Sequence, residues 1–308
     1  MIPTHLESGI SDSRAERLER EAIMCEGRGS TAPPILSAKN GDKSAGEAPE
    51  VEPSVSTKPA DMIKITAVLW LWLGYLALGK LHILCGRPGC GKTTLGMKIA
   101  AAATTGYGWP DGSVSEPGNV VIWSGEDDPA DTLIPRLIQS GAKLDRVHFI
   151  SGYVDINGRR EFDLSSDIVA LRREIRRIGN VKLLLIDPLV SIVRGDDHKN
   201  GTVRRSLQPL ADLGAALNIA VVGISHFSKN TVGKDPIDRL TGSLAYGAAA
   251  RVVLVASKNE EDGTRIFCRA KSNIGADDGG YEYELGLNTS NTNNACTRGG
   301  WSNYVCKT

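Results

Sequence analysis

Eight consecutive residues decide the fold prediction, and they read Gly86-Arg87-Pro88-Gly89-Cys90-Gly91-Lys92-Thr93. This stretch satisfies the phosphate-binding pattern G-x-x-x-x-G-K-[ST] in full. An apolar run at residues 82–85 precedes it, and an alanine-rich run at residues 94–104 follows it. The sequence therefore predicts a strand, a phosphate-binding loop (P-loop) and a helix in succession.

The residue types in this loop match the chemistry of a nucleoside triphosphate. Glycines allow backbone N–H groups to turn inward around phosphate oxygens at the N-terminus of a helix. We expect ATP to bind along the segment that ends at Thr94, with Lys92 bridging the β- and γ-phosphates. The hydroxyl of Thr93 is the expected protein ligand for Mg²⁺.

A second Mg²⁺ contact is predicted downstream. Residues 181–186 read VKLLLI, which is typical of a buried parallel strand, and Asp187 follows directly. The carboxyl ends of such strands line the ligand-binding edge of a doubly wound sheet. We expect Asp187 to hold Mg²⁺ through water; the alternative is an aspartate that only ends the strand before Pro188.

A neighbouring strand is predicted to carry the catalytic base. Residues 119–124 read NVVIWS and lead into Gly125-Glu126-Asp127-Asp128. A carboxylate there can face the γ-phosphate opposite the leaving group, so we expect Glu126 to orient the attacking water. Asp127 and Asp128 are better suited to cap the helix that begins near Pro129.

The wider pattern predicts an α/β fold with a mostly parallel, doubly wound sheet. Apolar strand runs alternate with helical runs up to residue 225, as expected for a parallel sheet covered on both faces. Beyond them, Asp262-Gly263 lies between two short β-prone runs and predicts an antiparallel hairpin, with a further strand at residues 281–285. We place one ATPase domain at residues 61–287.

The ends of the chain are predicted to be tails. Residues 1–60 hold ten acidic and seven basic side chains, lack aromatic residues, and are rich in Pro, Ser and Gly, so they favour disorder and a possible contact with a protein partner. Residues 288–308 form an unpatterned polar stretch.

Composition excludes several classes of protein. The 308-residue chain has 36 basic and 36 acidic side chains, so any contact with nucleic acid must be local. The apolar run at residues 67–79 is shorter than the roughly 20 residues of a membrane span and favours the core. Six cysteines without zinc spacing indicate free thiols and a cytoplasmic location.

Five motifs together resemble a known family. They are the P-loop at 86–93, GEDD at 125–128, IDP at 186–188, ISHFSK at 224–229 and GSLAYGAAAR at 242–251. The set resembles the RepA-like, RecA-like hexameric replicative helicases of plasmids and prophages. The resemblance covers residues 62–287 and implies a RecA-like core, a homo-hexameric ring and action on single-stranded DNA.

The resemblance also implies roles for single residues. His226 matches the γ-phosphate sensor, and Arg251 matches the arginine finger that enters a neighbouring subunit's site. From the residues alone, a structural histidine and an arginine that merely ends an alanine-rich segment stay open. Two loops are expected to contact DNA, although aspartates share them, and their basic residues are Arg194, Lys199, Lys229, Lys234 and Arg239.

The sequence thus favours a Mg²⁺-dependent ATPase that forms a ring and moves on or unwinds DNA in plasmid or phage replication. A different class stays open, namely an ATP-binding switch without motor activity that regulates protein assembly through the acidic tail. A small-molecule phosphotransferase is disfavoured, because the sequence has no recognisable lid or acceptor motif.

Overall fold

The structure is a computed structural model that describes residues 55–193, 200–227, 244–287 and 297–304. The chain divides into two units, Met1–Ile63 and Lys64–Thr308. The described part of the first unit contains one 3-10 turn at Ala60–Met62. All elements below belong to the second unit.

The second unit begins with strands that lead into the P-loop helix. Its first elements are β1 (Trp70–Trp72), β2 (Leu76–Ala77), β3 (Leu81–Gly86), α1 (Lys92–Thr105) and β4 (Asn119–Ser124). A π-helical turn at Pro129–Leu133 then runs into α2 (Ile134–Gln139), and a 3-10 turn at Leu144–Arg146 leads to β5 (Val147–Phe149), β6 (Tyr153–Asp155) and β7 (Gly158–Arg160).

Strands and helices continue to alternate before the chain ends in antiparallel strands. The alternating part is α3 (Ile168–Ile178), β8 (Val181–Asp187), a 3-10 turn at Leu189–Ile192, α4 (Asn200–Leu217), β9 (Ala220–His226) and α5 (Leu244–Ala249). The final strands are β10 (Val252–Lys258), β11 (Arg265–Ser272), β12 (Gly280–Leu287) and β13 (Thr297–Tyr304).

One nine-stranded sheet organises the unit, in the order β13-β12-β11-β10-β3-β9-β8-β4-β5. The pairs from β10 to β5 are parallel, whereas β11, β12 and β13 add antiparallel pairs at one side. The predicted α/β fold, with a mostly parallel sheet and C-terminal antiparallel strands, is confirmed.

Both faces of this sheet are buried, because apolar residues of the central strands point alternately into two cores. Leu84 of β3 packs in the core that includes α1, and Ile83 packs in the core that includes α3 and α4. Helix α1 lies very near the sheet at Gly96, where a Cβ atom would come 3.0 Å from Ile224 Cδ1. This close packing fixes the helix that follows the P-loop.

The apolar run at residues 67–79 contributes to the core, as the sequence predicts. Trp72 is 1% exposed, and its ring stacks on Tyr75 at 4.1 Å, on Trp109 at 5.2 Å and on Phe267 at 5.7 Å. In the described ranges, no helix is both long and apolar enough to cross a bilayer.

The C-terminal strand differs from the sequence prediction. Residues Thr297–Tyr304 form β13, which pairs with β12 from Gly280 to Leu287. This stretch was expected to be an unpatterned tail, and that expectation is corrected at β13. The segment is polar and lacks clear alternation, so its pairing depends on the neighbouring edge strand rather than on a local signal.

Candidate active site

The P-loop joins β3 to α1 through backbone conformations that favour glycine. Gly91 has φ +91° and N-caps α1. At Gly86 an added Cβ would lie 2.1 Å from the carbonyl oxygen of Ala256, so β10 lies too near for any side chain. The loop therefore starts against the sheet and ends with its last N–H groups at a helix N-terminus, where anions are favoured.

Lys92 is the first residue of α1 and is 6% exposed. Its Nζ donates to the carbonyl oxygens of Gly86 at 3.1 Å and Arg87 at 3.0 Å. The ammonium group of Lys92 therefore reaches back to the start of the P-loop. A phosphate bound by the loop would contact it there.

Strand register brings the other predicted residues to the same edge of the sheet. Gly86 at the end of β3 pairs with His226 at the end of β9. Ser124 at the end of β4 pairs with Asp187 at the end of β8. Because these four strands are adjacent and parallel, their carboxyl ends converge beside the P-loop.

Thr93 and Asp187 meet directly. The Thr93 hydroxyl donates to Asp187 Oδ2 at 2.8 Å, and Asp187 is 5% exposed. Burial, together with the negative charges of Glu126 and Asp127, raises the pKa of Asp187 to about 6, although the Thr93 hydrogen bond lowers it. A hydroxyl and a carboxylate oxygen this close are ligands that suit Mg²⁺, which favours oxygen and also binds phosphate.

In the turn after β4, the side chains of Asp127 and Asp128 have partners that the side chain of Glu126 lacks among the described residues. Asp127 forms an ion pair with Arg136 at 3.1 Å, and its backbone N–H donates to Ser124 Oγ at 3.1 Å. Asp128 caps the following helical turn by accepting from the backbone N–H of Ala130 at 2.7 Å. The side chain of Glu126 is exposed and makes no hydrogen bond to another described residue.

His226 ends β9, which is adjacent to β3 and lies on the same side of β3 as β8 and β4. Burial lowers the pKa of its imidazole, the positive charge of Lys92 lowers it further, and the charge of Glu126 opposes both. The next residue, Phe227, donates its backbone N–H to the Gly86 carbonyl at 3.3 Å. The backbone beside His226 is therefore hydrogen-bonded to the start of the P-loop. A neutral imidazole at this position keeps one N–H donor.

Arg251 lies at the opposite edge of the sheet. It precedes β10, whose first residue Val252 pairs with His82, and its backbone N–H donates to Leu81 O at 2.9 Å. Because a strand rises about 3.3 Å per residue, the full length of β3 puts about 17 Å between this edge and the P-loop. The exposed Arg251 borders a cavity of about 300 Å³ that Lys80 and Arg204 also line.

The predicted DNA contacts cannot be placed. Arg194 and Lys199 lie in residues 194–199, and Lys229, Lys234 and Arg239 lie in residues 228–243. Both segments are outside the described residues, as are residues 1–54 of the predicted N-terminal tail. The DNA-binding role of these residues stays a prediction.

Sequence reasoning missed three side chains that contact residues of the candidate site. Arg136 of α2 pairs with Asp127. Tyr283 of β12 donates its hydroxyl to the carbonyl of Cys90, and Leu285 packs against Gly91. The last two come from the far end of the domain, so no local signal in the sequence points to them.

Comparison with known proteins agrees with this geometry. The sequence profile of the AAA domain family matches residues 47–232, which is more than half of the chain. No curated protein matches the chain. The chain therefore belongs to the AAA domain family, which indicates a P-loop ATPase with a RecA-like fold.

Proposed function

We propose that this member of the AAA domain family hydrolyses ATP with Mg²⁺ as a ring-forming motor on single-stranded DNA, in the manner of a replicative helicase. The observation that carries the ATPase part is the convergence of Lys92, Thr93 and Asp187 at the carboxyl edge of one parallel sheet. Ring formation and the DNA substrate rest on the position of Arg251 and on the sequence resemblance.

The metal site fits the residues present. Thr93 and Asp187 would hold Mg²⁺, because their oxygens lie only 2.8 Å apart beside the P-loop. When bound, Mg²⁺ neutralises charge on the β- and γ-phosphates. The environment of Asp187 supports this fit. Burial and the negative charges of Glu126 and Asp127 disfavour its ionised form, and a bound cation would stabilise that form.

Hydrolysis needs a water aligned with the γ-phosphate. The oxygen of that water forms a bond to the γ-phosphorus, while the bond from phosphorus to the bridging β–γ oxygen breaks, which releases ADP and phosphate. Glu126 accepts a hydrogen bond from the water and takes its proton, since its exposed carboxylate is not committed to Arg136 as Asp127 is. His226 donates a hydrogen bond to the γ-phosphate.

A second copy of the chain would complete the site. The length of β3 separates Arg251 from the P-loop of its own chain. An exposed arginine at the opposite edge can instead reach the phosphates held by a neighbour, where such residues stabilise the charge of the transition state. A head-to-tail contact of this kind repeats from copy to copy and closes into a ring when the rotation allows it.

The experiment that tests this function measures ATP hydrolysis with and without single-stranded DNA. We expect Mg²⁺-dependent turnover that DNA stimulates severalfold, with stimulation that falls as salt rises, because phosphate contacts release counterions. Lys92→Ala is the control, and it should abolish turnover in both conditions. Turnover that ignores DNA would favour the non-motor ATP switch, and turnover that survives Lys92→Ala would overturn the site.

A further inference from the structure

We propose that the antiparallel strand β12 is part of the nucleotide site, and that Tyr283 is a positioning residue that holds the P-loop in its phosphate-binding shape. The inference rests on the proposed function, since it concerns the same loop. It adds a determinant of nucleotide affinity some 190 residues away from the P-loop motif in the sequence.

Sheet order makes this contact unexpected. β12 is three places from β3 in the sheet, with β10 and β11 between them. The P-loop starts at Gly86, beside Ala256 of β10, and its last two residues before Lys92 reach side chains of β12. Tyr283 is 2% exposed, and its hydroxyl donates to the backbone carbonyl of Cys90, inside the loop.

A second contact holds the next peptide unit. Leu285 lies two residues beyond Tyr283, and side chains two apart on a strand share a face. A Cβ atom at Gly91 would come 2.5 Å from Leu285 Cδ1, so the leucine packs against the backbone at that glycine. β12 therefore supports two consecutive residues of the loop, immediately before Lys92.

The surroundings keep this hydrogen bond intact. Burial raises the pKa of Tyr283, so the phenol stays protonated and remains a donor at neutral pH. Burial likewise raises the pKa of the Cys90 thiol, and this residue is 2% exposed. Loss of this hydrogen bond is unfavourable, because the buried carbonyl of Cys90 would then have lost its contact with water without gaining a donor.

The two ends of the loop are thus held by different strands. β10 meets its start, where Gly86 abuts the Ala256 carbonyl, and β12 holds its end. N–H groups between these points are the ones expected to bind phosphate. Loss of the β12 contact would let them adopt other orientations, and nucleotide binding would have to select the competent one.

The test compares Tyr283→Phe with Tyr281→Phe. Both changes keep the ring on the same face of β12, but the Tyr281 side chain packs against Trp72 and Tyr75 rather than against the P-loop. ADP and ATP affinities are measured by fluorescent nucleotide binding, together with thermal melting of the protein without nucleotide and steady-state hydrolysis.

We expect Tyr283→Phe to weaken ADP and ATP binding by about threefold to tenfold, which is the range for one neutral hydrogen bond. KM for ATP should rise by a similar factor while kcat stays within about twofold, because Glu126 and His226 lie at the ends of other strands. Tyr281→Phe should change neither affinity nor KM.

Each other outcome has a meaning. Equal affinities for wild type, Tyr283→Phe and Tyr281→Phe would overturn the positioning role and leave the proposed ATPase intact. Absence of nucleotide binding by the wild type would overturn both. If Tyr283→Phe does not fold, Leu285→Val tests the same contact between β12 and the P-loop. Unchanged nucleotide affinity in that variant would equally overturn the proposal.

Discussion

The two edges of the parallel sheet treat their charged groups in opposite ways. At the carboxyl edge, Lys92 and Asp187 are almost fully buried, and the pKa of Asp187 rises to about 6. At the amino edge, the buried His82 has partners for both ring nitrogens, and the cation beside it, Arg251, is exposed.

Under the proposed function, this difference separates a ligand-binding site from a surface that contacts a second copy of the chain. Buried charge without full compensation is costly, so the carboxyl edge gains stability when nucleotide and cation arrive. At the amino edge, both ring nitrogens of His82 have hydrogen-bond partners in the described chain. The exposed Arg251 side chain can contact another molecule. Under the proposed function, one molecule would therefore offer the two complementary halves of a shared active site.

The largest predicted effect belongs to the amino edge. Arg251→Ala should lower ATP hydrolysis by about 10³- to 10⁵-fold, the range for arginine fingers, because the charge that Arg251 is proposed to supply in trans is removed. ATP affinity should change little, since Arg251 lies at the far end of β3 from its own P-loop. Fluorescent nucleotide binding and steady-state hydrolysis check both statements, with Arg204→Ala, which lines the same cavity, as the matched control.

At the carboxyl edge, Glu126→Gln should separate binding from chemistry. The amide keeps the size of the side chain but loses the basicity that activates water, so turnover should fall by about 10²- to 10⁴-fold with ATP binding retained. Asp127→Asn should cost far less, because Asp127 pairs with Arg136 instead. Single-turnover hydrolysis of both variants decides; the reverse ranking would show that Glu126 is not the base.

Sequence patterns were sufficient for the carboxyl edge because its elements are local. The P-loop, the strand before it and the acidic strand ends at Asp187 and Glu126 are each contained in a few residues. Register in a parallel sheet then brings them together, as the pairs Gly86–His226 and Ser124–Asp187 confirm.

The parts that sequence could not supply depend on contacts between distant strands. The bond from Tyr283 to Cys90 spans 193 positions and joins the P-loop to a strand three places from β3 in the sheet. Strand β13 pairs with β12 without a pattern of its own. The ion pair that distinguishes Asp127 from Glu126 requires α2 to place Arg136 beside the turn.

The buried carboxylate makes nucleotide binding at the carboxyl edge sensitive to pH. Under the proposed function, Asp187 must be ionised to hold Mg²⁺, and its pKa is about 6. The Mg²⁺-dependent gain in ATP affinity should therefore fall as pH drops below 6, by up to about tenfold per pH unit for one proton. Titration of ATP binding with and without Mg²⁺ between pH 5 and pH 8 measures this gain. Asp187→Asn should flatten the curve, and a wild-type curve equal to that of the variant would refute the metal role.

The last predicted effect is a pH dependence of folding at the amino edge. His82 Nε2 accepts from Ala77 N–H at 2.9 Å, so Nδ1 carries the proton and donates to Val221 O at 3.0 Å. Burial lowers the pKa of His82 to about 4, below its ordinary value of 6.5. Between these values the unfolded chain binds a proton that the folded protein does not.

Stability from His82 is therefore present above pH 6.5 and is lost as pH falls towards 4, up to about 3 kcal/mol. Asp187 acts in the opposite direction, because its raised pKa favours the folded state as pH falls through 6. Urea unfolding of wild type and His82→Gln at several pH values isolates the histidine. A free energy of unfolding with the same pH slope in both proteins would show that the imidazole is not held neutral.

Complementation between two inactive variants tests the shared active site most directly. Lys92→Ala and Arg251→Ala are mixed under conditions of subunit exchange, and ATP hydrolysis is followed after mixed assemblies have been verified. Some interfaces then pair an intact P-loop from one variant with an intact arginine from the other, so part of the activity should return. Verified mixed assemblies that stay as inactive as the separate variants would contradict the account and confine Arg251 to its own chain.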